Sequence, residues 1–522
     1  MNRSHMKELP TEKAWKKVGM KHHHGIQVPL LSIRTKKSSG NGEFLDLIPL
    51  IDWVASLGMD ILQLLPLNDS GCDPSPYNAL SATALHPIYL SLHALPHSEG
   101  LEAFHPFNET KRVAYRQILD QKLTFLKKYV EKHGKEILES HHYLSFIQKS
   151  PHLEDYALYK VLKEKHNNNE WMNWPKEEQN LSRNERRSLE KNLTHETNFH
   201  LVVQFLCHEQ LKKVKAHAEK KGVFLKGDIP ILISPDSADV WAHKEFFDLS
   251  FTVGSPPNHF DPPGQNWRFP LYNWKAMEEN HFEWWKKRIE VAIHYFHIYR
   301  VDHILGFFRI WAIPHGKTPS DGHFVPKDPA LMEMQGKMLL DTLISFSDML
   351  PIGEDLGDPP SFVRPVMEKL GIPGTKIFRR YRNWKTDHSF VPYEEYPPIS
   401  IASVSTHDIE TLHLWWKKFP DEARDYASFK GWKYKEELSI DHHRAILHDI
   451  HHCGSLFHVN LLQEYLALTP DLTWDNPEDE RINIPGTESS LNWTYRYRFP
   501  LENLTQNATL KQEIKNVVTS EV

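Results

Sequence analysis

A (β/α)8 barrel of the TIM type, in the α/β class, is the fold this 522-residue chain predicts, and three observations carry the prediction. Short apolar, β-rich runs alternate with amphipathic helical stretches about eight times, the pattern of a parallel sheet with crossover helices. Asp228, Asp302, Glu354 and Asp408 each stand at the C-terminal end of such a run. In a closed barrel those ends converge on one rim, where active sites are built. Finally, the length suits one large domain with insertions, or two or three domains, and two segments break the rhythm as insertions would.

The elements follow in order. "GIQVPLLSI" (25–33) reads as the first strand, the amphipathic "EFLDLIPLIDWVASLG" (43–58) as its helix, and "DILQLLPL" (60–67) as the second strand. Residues 1–97 thus form the first part of the barrel with the loop that follows. Residues 98–210 are charged, with no strand pattern, and are expected to be a helical insertion between strands two and three. The barrel core is expected over 211–408, with strands in "GVFLKGDIPI" (222–231), "HIYRVDHI" (297–304), "LPIGEDLG" (350–357), "GTKIF" (374–378) and "IASVSTHD" (401–408). Helices are expected at "HFEWWKKRIEVAIHYF" (281–296), whose tryptophans read as packing, and at "PALMEMQGKMLLDTLIS" (329–345). Residues 409–480 read as a second helical insertion, and 481–522 as the last strand ("RINIPG", 481–486) with a terminal helix.

Composition excludes several classes of function. Lys and Arg number 62 against 68 Asp and Glu, a net charge of -6 that offers no footprint for nucleic acid or anionic membrane. Cys72, Cys207 and Cys453 are far apart with no C-x-x-C pair, which argues against a disulfide framework and suits a reducing cytosol. No run approaches the ~18 apolar residues of a membrane helix, and the start lacks the apolar segment of a secretory signal. A cytoplasmic location is expected. The oligomeric state is not legible.

In "FHIYRVDHILGFFRIW" (296–311), Arg300, Asp302 and His303 interrupt an apolar run. Arg300 and Asp302, two apart on a strand, share a face, so the guanidinium is expected to keep Asp302 ionised. Glu354 follows "LPIG", where apolar surroundings would raise its pKa. One ionised carboxylate and one protonated carboxyl on neighbouring strands are what a retaining glycosidase needs, roughly 5–5.5 Å apart. The residues alone leave alternatives open. Arg300–Asp302 also reads as a structural ion pair, and His407-Asp408 in "STHDIET" (405–411) as a helix N-cap.

Taken together, "YRVDHILGFFRIW", "PIGEDLG" and "STHDIETL" resemble, in order, the catalytic segments of the 4-α-glucanotransferases of glycoside hydrolase family 77 (amylomaltases, or disproportionating enzymes). "LLPLNDSGCDPSPYNALSATALHP", "GDIPILISPDSADVWA", "VGSPPNHFDPPGQNWRFPLYNW" and "INIPGTESSLNW" extend the likeness from about residue 25 to about 500. The resemblance implies Asp302 as nucleophile, Glu354 as acid/base and Asp408 as the third carboxylate, binding the sugar's 2- and 3-hydroxyls. It implies that Arg300 holds Asp302, that His407 binds sugar, and that Tyr77 lies under the sugar at the cleavage point. Asp228, Gln265, Trp267 and Asn483 fall in segments it assigns to the cleft. Tyr77 and Trp267 also make independent sense, since a pyranose packs its C–H face on an aromatic ring. The chain departs from many relatives at Ile409-Glu410 and in the short, basic "IRTKKSSGNGEFLDL", and no separate starch-binding module is expected.

The implied activity moves α-1,4-glucan segments from maltodextrin donors to the 4-hydroxyl of glucose or a glucan, without a cofactor. Maltose is a further candidate partner, and so is glycogen. A retaining α-glucosidase or amylase is the alternative, because the carboxylates serve water as well as sugar acceptors; an inactive glycan-binding scaffold is another. Transfer requires the acceptor to outcompete water, and the Pro-rich "PPNHFDPPGQNW" is a candidate lid. In "DHHRAILHDIHHC" (441–453), His448 and His452 lie one helical turn apart beside Cys453, but in a chain with 34 histidines such a cluster is expected by chance, as is "HHH" at 22–24. No metal site is assigned.

Overall fold

The computed structural model describes residues 9–258 and 262–519. Eight short, buried, parallel strands close the barrel: β1 (His23–Val28), β2 (Ile61–Leu64), β3 (Phe224–Ile229), β6 (Ile298–Val301), β9 (Leu350–Gly353), β10 (Gly374–Ile377), β11 (Ser400–Ser403) and β12 (Phe457–Leu461). Around the barrel they run β1-β12-β11-β10-β9-β6-β3-β2, so the first and last strands meet and seal it. Alternation sends Ile61, Ile298, Leu350, Ile352, Ile401, Phe457 and Val459 into the lower barrel. The helix Glu12–Val18 plugs that end with fully buried Trp15, whose indole N–H donates to the Gly371 carbonyl at 2.9 Å. Apolar side chains therefore fill the bottom of the barrel, while polar ones are left for the top.

The remaining strands, β4 (Phe247–Ser255), β5 (Gln265–Tyr272), β7 (Ile310–Pro314) and β8 (His323–Val325), form an antiparallel sheet in the order β5-β4-β7-β8. It is built from the connections after β3 and β6, so it stands on the C-terminal side of the barrel beside the rim. Part of the Pro-rich segment proposed as a lid (259–261) lies outside the described residues.

Between β2 and β3 the chain is helical, including Tyr115–Glu139, Leu153–Lys165 and Thr194–Lys221. No break occurs at 210. The helix Thr194–Lys221 runs uninterrupted for 28 residues to its left-handed cap at Gly222, and its buried Leu211, Val214 and Ala218 continue the packed face of the region before it. A second correction concerns the last strand. β12 is "FHVNL" (457–461), inside the segment read as a helical insertion, and "RINIPG" (481–486) forms no strand. Arg481 and Asn483 instead bond the loop after β11, and Pro485-Gly486 turns the chain. β12 is hidden in the sequence because its outward-facing His458 and Asn460 interrupt the apolar run.

Candidate active site

The C-terminal rim gathers the polar residues that the strands deliver. Asp228 is next to last in β3, Arg300 lies in β6 with Asp302 just beyond it, Glu354 follows β9, and His407 and Asp408 lie on the loop after β11. Parallel register puts Arg300 opposite Asp228 on one side and Ile352 on the other, so its guanidinium is centred among the three neighbouring strand ends. Its Nη1 donates to both Asp228 oxygens at 2.9 Å and stands 2.7 Å from Asp302 Oδ1, while Nη2 is 3.9 Å from Glu354 Oε2. One partly buried cation therefore serves three carboxylates.

Local backbone geometry fixes Glu354. Gly353 admits the close approach of Ile304 and Met367, since an added Cβ would meet them at 2.8 and 2.6 Å. The turn after β6 puts His303 at a positive φ of 44° and aims its N–H at Glu354 Oε2 at 2.9 Å; the Leu356 N–H reaches Oε1 at 3.1 Å. Burial nevertheless dominates and, with the Asp302 charge, pushes the Glu354 carboxyl up to about 7 against the pull of Arg300 and the two amides. Asp302 is also raised, by burial and by Asp228 and Asp408, with Arg300 opposing. This differs from the expectation that Arg300 simply depresses it, because the guanidinium is shared. Arg300 still touches Asp302 far more closely than Glu354, so the cation favours the charge on Asp302 and the proton on Glu354.

Asp408 is held differently. Its Oδ1 accepts from Asn483 Nδ2 at 2.7 Å and its Oδ2 lies 3.1 Å from His407 Nε2. Burial works to raise it, but the His407 charge and hydrogen bond and the Asn483 amide hold it down at about 2. Burial lowers His407, and the Asp408 carboxylate reverses this to a net rise. Tyr77 joins the two groups: its hydroxyl donates to Asp228 at 2.7 Å, lies 3.1 Å from His407 Nε2, and its ring stacks on the imidazole with centroids 5.4 Å apart. On β5, Trp267 donates to Gln265 Oε1 at 2.8 Å and meets His303 edge-on at 5.1 Å.

The structure thus brings Tyr77, Gln265, Trp267, Arg300, Asp302, Glu354, His407, Asp408 and Asn483 to one cleft of about 1220 Å³, whereas Asp228, expected to bind sugar there, is buried off its lining and bonds Arg300 and Tyr77 instead. Sequence reasoning missed Gln27, Gln63 and Lys226, which line its floor, and Trp493, whose ring lies 5.5 Å from that of Tyr77. Gln63 accepts from Lys226 at 2.7 Å, and burial lowers that lysine to about 7. The available signal was alternation, since Lys226 and Asp228 are two apart on β3, as Arg300 and Asp302 are two apart at the end of β6. Glu410, one of the departures, binds Arg481 Nη1 at 2.7 Å and Arg379 Nη2 at 3.2 Å, and so anchors the Asp408 loop from behind.

A cleft this large, with two carboxyls unequally held by one guanidinium and walls of Trp and Tyr rings, suits a polymeric sugar. The profile of glycoside hydrolase family 77, 4-alpha-glucanotransferase, matches residues 28–502. The chain belongs to that family. A 4-alpha-glucanotransferase of Chlamydia pneumoniae is 41% identical over 525 residues, spanning 98% of each chain. One of Thermus thermophilus is 31% identical over 453 residues, covering 83% of this chain and 86% of its own. The structure of the amylomaltase from Streptococcus agalactiae in complex with acarbose superposes with a TM-score of 0.83 over 96% of this chain and 99% of that one, at 24% identity, which establishes the barrel architecture. As a family 77 4-α-glucanotransferase the chain acts on α-glucans. Among the described residues no helix is long and apolar enough to cross a membrane.

Proposed function

We propose that this 4-α-glucanotransferase is a retaining enzyme. It transfers α-1,4-linked segments of maltodextrins to the 4-hydroxyl of glucose or of a second glucan, with Asp302 as nucleophile and Glu354 as acid and base. The observation that carries the assignment is the unequal sharing of Arg300, 2.7 Å from Asp302 and 3.9 Å from Glu354. A protonated Glu354 gives its proton to the glycosidic oxygen as Asp302 attacks the anomeric carbon. The C–O bond to the leaving glucan breaks and an ester bond to Asp302 forms, with the configuration inverted. Glu354, now ionised, takes the proton of an acceptor 4-hydroxyl, which attacks the same carbon and displaces Asp302 with a second inversion. One α-1,4 bond is broken and one made.

Asp408, locked as a carboxylate by His407 and Asn483, accepts hydrogen bonds from sugar hydroxyls, and Tyr77 offers its ring to the sugar's C–H face. The acarbose held by the Streptococcus amylomaltase is in keeping with a site for maltodextrin-like ligands. Incubation with maltotriose alone tests the reading. Glucose and a ladder of longer oligomers at constant reducing-end count are expected, and a steady rise in reducing ends would make the enzyme a hydrolase instead. Asp302→Asn should abolish turnover while maltodextrin binding, followed by calorimetry, persists.

A further inference from the structure

A second cluster of chemistry-bearing side chains lies on the outer wall of the barrel, away from the cleft. In β12 Phe457 and Val459 face the barrel interior, so His458 faces out. His24 of β1 is opposite His458 in the parallel register, and the two rings stack with centroids 4.9 Å apart. The helix Ile440–His451 ends over this pair and brings His451 Nδ1 to 2.9 Å from His24 Nδ1. One nitrogen from each of His24, His451 and His458 falls within 4.8 Å of the other two.

The surrounding hydrogen bonds dictate where the lone pairs point. The Tyr465 hydroxyl donates its one proton to the Gly25 carbonyl at 3.1 Å and accepts from Asn460 Nδ2 at 3.2 Å. His451 Nε2, 2.8 Å from the same hydroxyl, therefore carries hydrogen and donates. The lone pair of His451 is then on Nδ1, where it accepts from His24 Nδ1 at 2.9 Å, and a cation taking that lone pair moves the His24 proton to its Nε2. A ligating histidine is oriented in this way, with its far N–H held by a partner. His458 is fully buried, and neither of its ring nitrogens has a hydrogen-bond partner of ordinary geometry. A buried polar group left so calls for a physical reason. The Cys453 backbone is close enough to favour its protonated form slightly, against stronger opposition from burial and from His24 and His22. Burial likewise lowers His24 to about 4 and His451 well below its ordinary range, so all three rings are neutral, the state that binds metal.

We propose that His24, His451 and His458 bind a divalent cation of the zinc class, which pins β1, β12 and the helix Ile440–His451 together where the barrel closes. Three imidazoles without carboxylate or thiolate suit zinc, and its nickel, cobalt and copper neighbours, rather than calcium or magnesium. Bonds of about 2.1 Å would set the nitrogens about 3.4 Å apart, so on binding the His24–His451 pair, now at 2.9 Å, opens by about 0.5 Å while the wider separations close, and a fourth position is left for water. Half-buried His24, beside exposed His22 stacked on His458 at 5.3 Å, gives the ion a route from solvent. The negative charge of Asp60, which favours a cation at His24, partly balances it. The pair flagged by sequence spacing lies outside the cluster: His448 and His452 stack on each other at 4.2 Å, and His452 Nε2 is 3.3 Å from the Val517 carbonyl.

The test is metal binding by the untagged, chelator-stripped full chain. Zn²⁺ alone is titrated with elemental analysis after dialysis, and Co²⁺ serves as the spectroscopic probe. The expected result is one zinc per chain, the strong visible absorption of tetrahedral cobalt, and a melting temperature raised by a few degrees through linkage. His24→Gln and His458→Phe should each lose all three, while His448→Gln and His452→Gln should keep them. Should His458→Phe fail to fold, His24→Gln at the half-buried edge decides alone. Absence of stoichiometric uptake by the wild type would overturn the proposal. So would uptake that survives His24→Gln, or uptake abolished by His448→Gln or His452→Gln.

Discussion

At Glu354 two opposing influences meet, and their balance is measurable. Burial and the Asp302 charge hold its carboxyl at about 7, so below that pH the acid proposed to protonate the leaving glucan is in place. As pH rises through 7 the proton is lost, and kcat/KM on maltotriose should fall about tenfold per pH unit above the limb. Glu354→Gln removes the titrating group: activity should drop roughly 10²- to 10⁴-fold and the residual rate should lose its alkaline limb. An unchanged limb in that variant would assign it to another group, with Lys226, lowered to about 7, the next candidate. Asn483 acts through a neighbour. It donates to Asp408 Oδ1 at 2.7 Å, a hydrogen bond to a charged group, worth about 1.5–3 kcal/mol. Asn483→Ala should therefore lower kcat roughly ten- to a hundredfold, with an intact fold by circular dichroism. Asn483→Asp should do worse, because a second carboxylate would face the first.

The helical region between β2 and β3 is attached to the barrel by a buried ion pair. Lys122 on the helix Tyr115–Glu139 is fully enclosed and donates to Glu43 Oε1 at 2.6 Å and to the carbonyls of Ile88 and Leu90 at 2.6 and 3.1 Å. Lys122→Met would leave the Glu43 carboxylate and two carbonyls without their cation, at a cost of about 3–5 kcal/mol in urea unfolding. Lys127→Met, which removes a half-exposed pair with Glu164, should cost less than about 1 kcal/mol. Equal losses in the two variants would refute a docking role for Lys122. Elements of this kind also show what a sequence reveals. Asp302, Glu354 and Asp408 stood out because each ends an apolar strand, and although singly they also read as an ion pair or a helix cap, the three segments together matched one family. Gln27, Gln63 and Lys226 were silent because a single polar residue inside a strand acquires meaning only when seven other strands bring theirs to the same floor. β12 was missed for the opposite reason. Its polar residues face the helix layer rather than the cleft, and the expected strand at 481–486 is a loop whose Arg481 and Asn483 brace the Asp408 segment.

Over the whole molecule, buried titratable groups set how stability follows pH. Burial lowers His24, His86, His208 and His303 to about 4, and His152, His200 and His443 to about 3. Each is neutral in the folded chain but takes up a proton near its ordinary value of about 6.5 once unfolded. A depressed pKa gives stability that is present above the unfolded value and lost as pH falls towards the folded one. Buried carboxyls work the other way. Asp46, Glu354, Glu464 and Glu480 are pushed up to about 7, chiefly by burial, and they withdraw stability as pH rises from about 4–4.5 to 7. Between pH 4.5 and 6.5 the histidines outnumber these carboxyls, so the unfolded chain binds more protons than the folded one and stability rises with pH. Above about 7.5 both sets have finished titrating and only a gentler rise is left, from Lys226, which burial lowers to about 7 so that the folded chain has lost a proton the unfolded one keeps. Calorimetry on chelator-treated protein, which removes any contribution of metal at His24, should therefore show the melting temperature climbing steeply from pH 4.5 to 6.5 and only gently beyond. Glu464, fully buried, accepts from the Leu412 N–H at 3.1 Å and from the Ser405 hydroxyl. Glu464→Gln deletes one of the opposing carboxyls and should steepen the acid limb. A melting temperature that held constant or rose on acidification would mean that these histidines are protonated in the folded state, and that the burial ascribed to them is wrong.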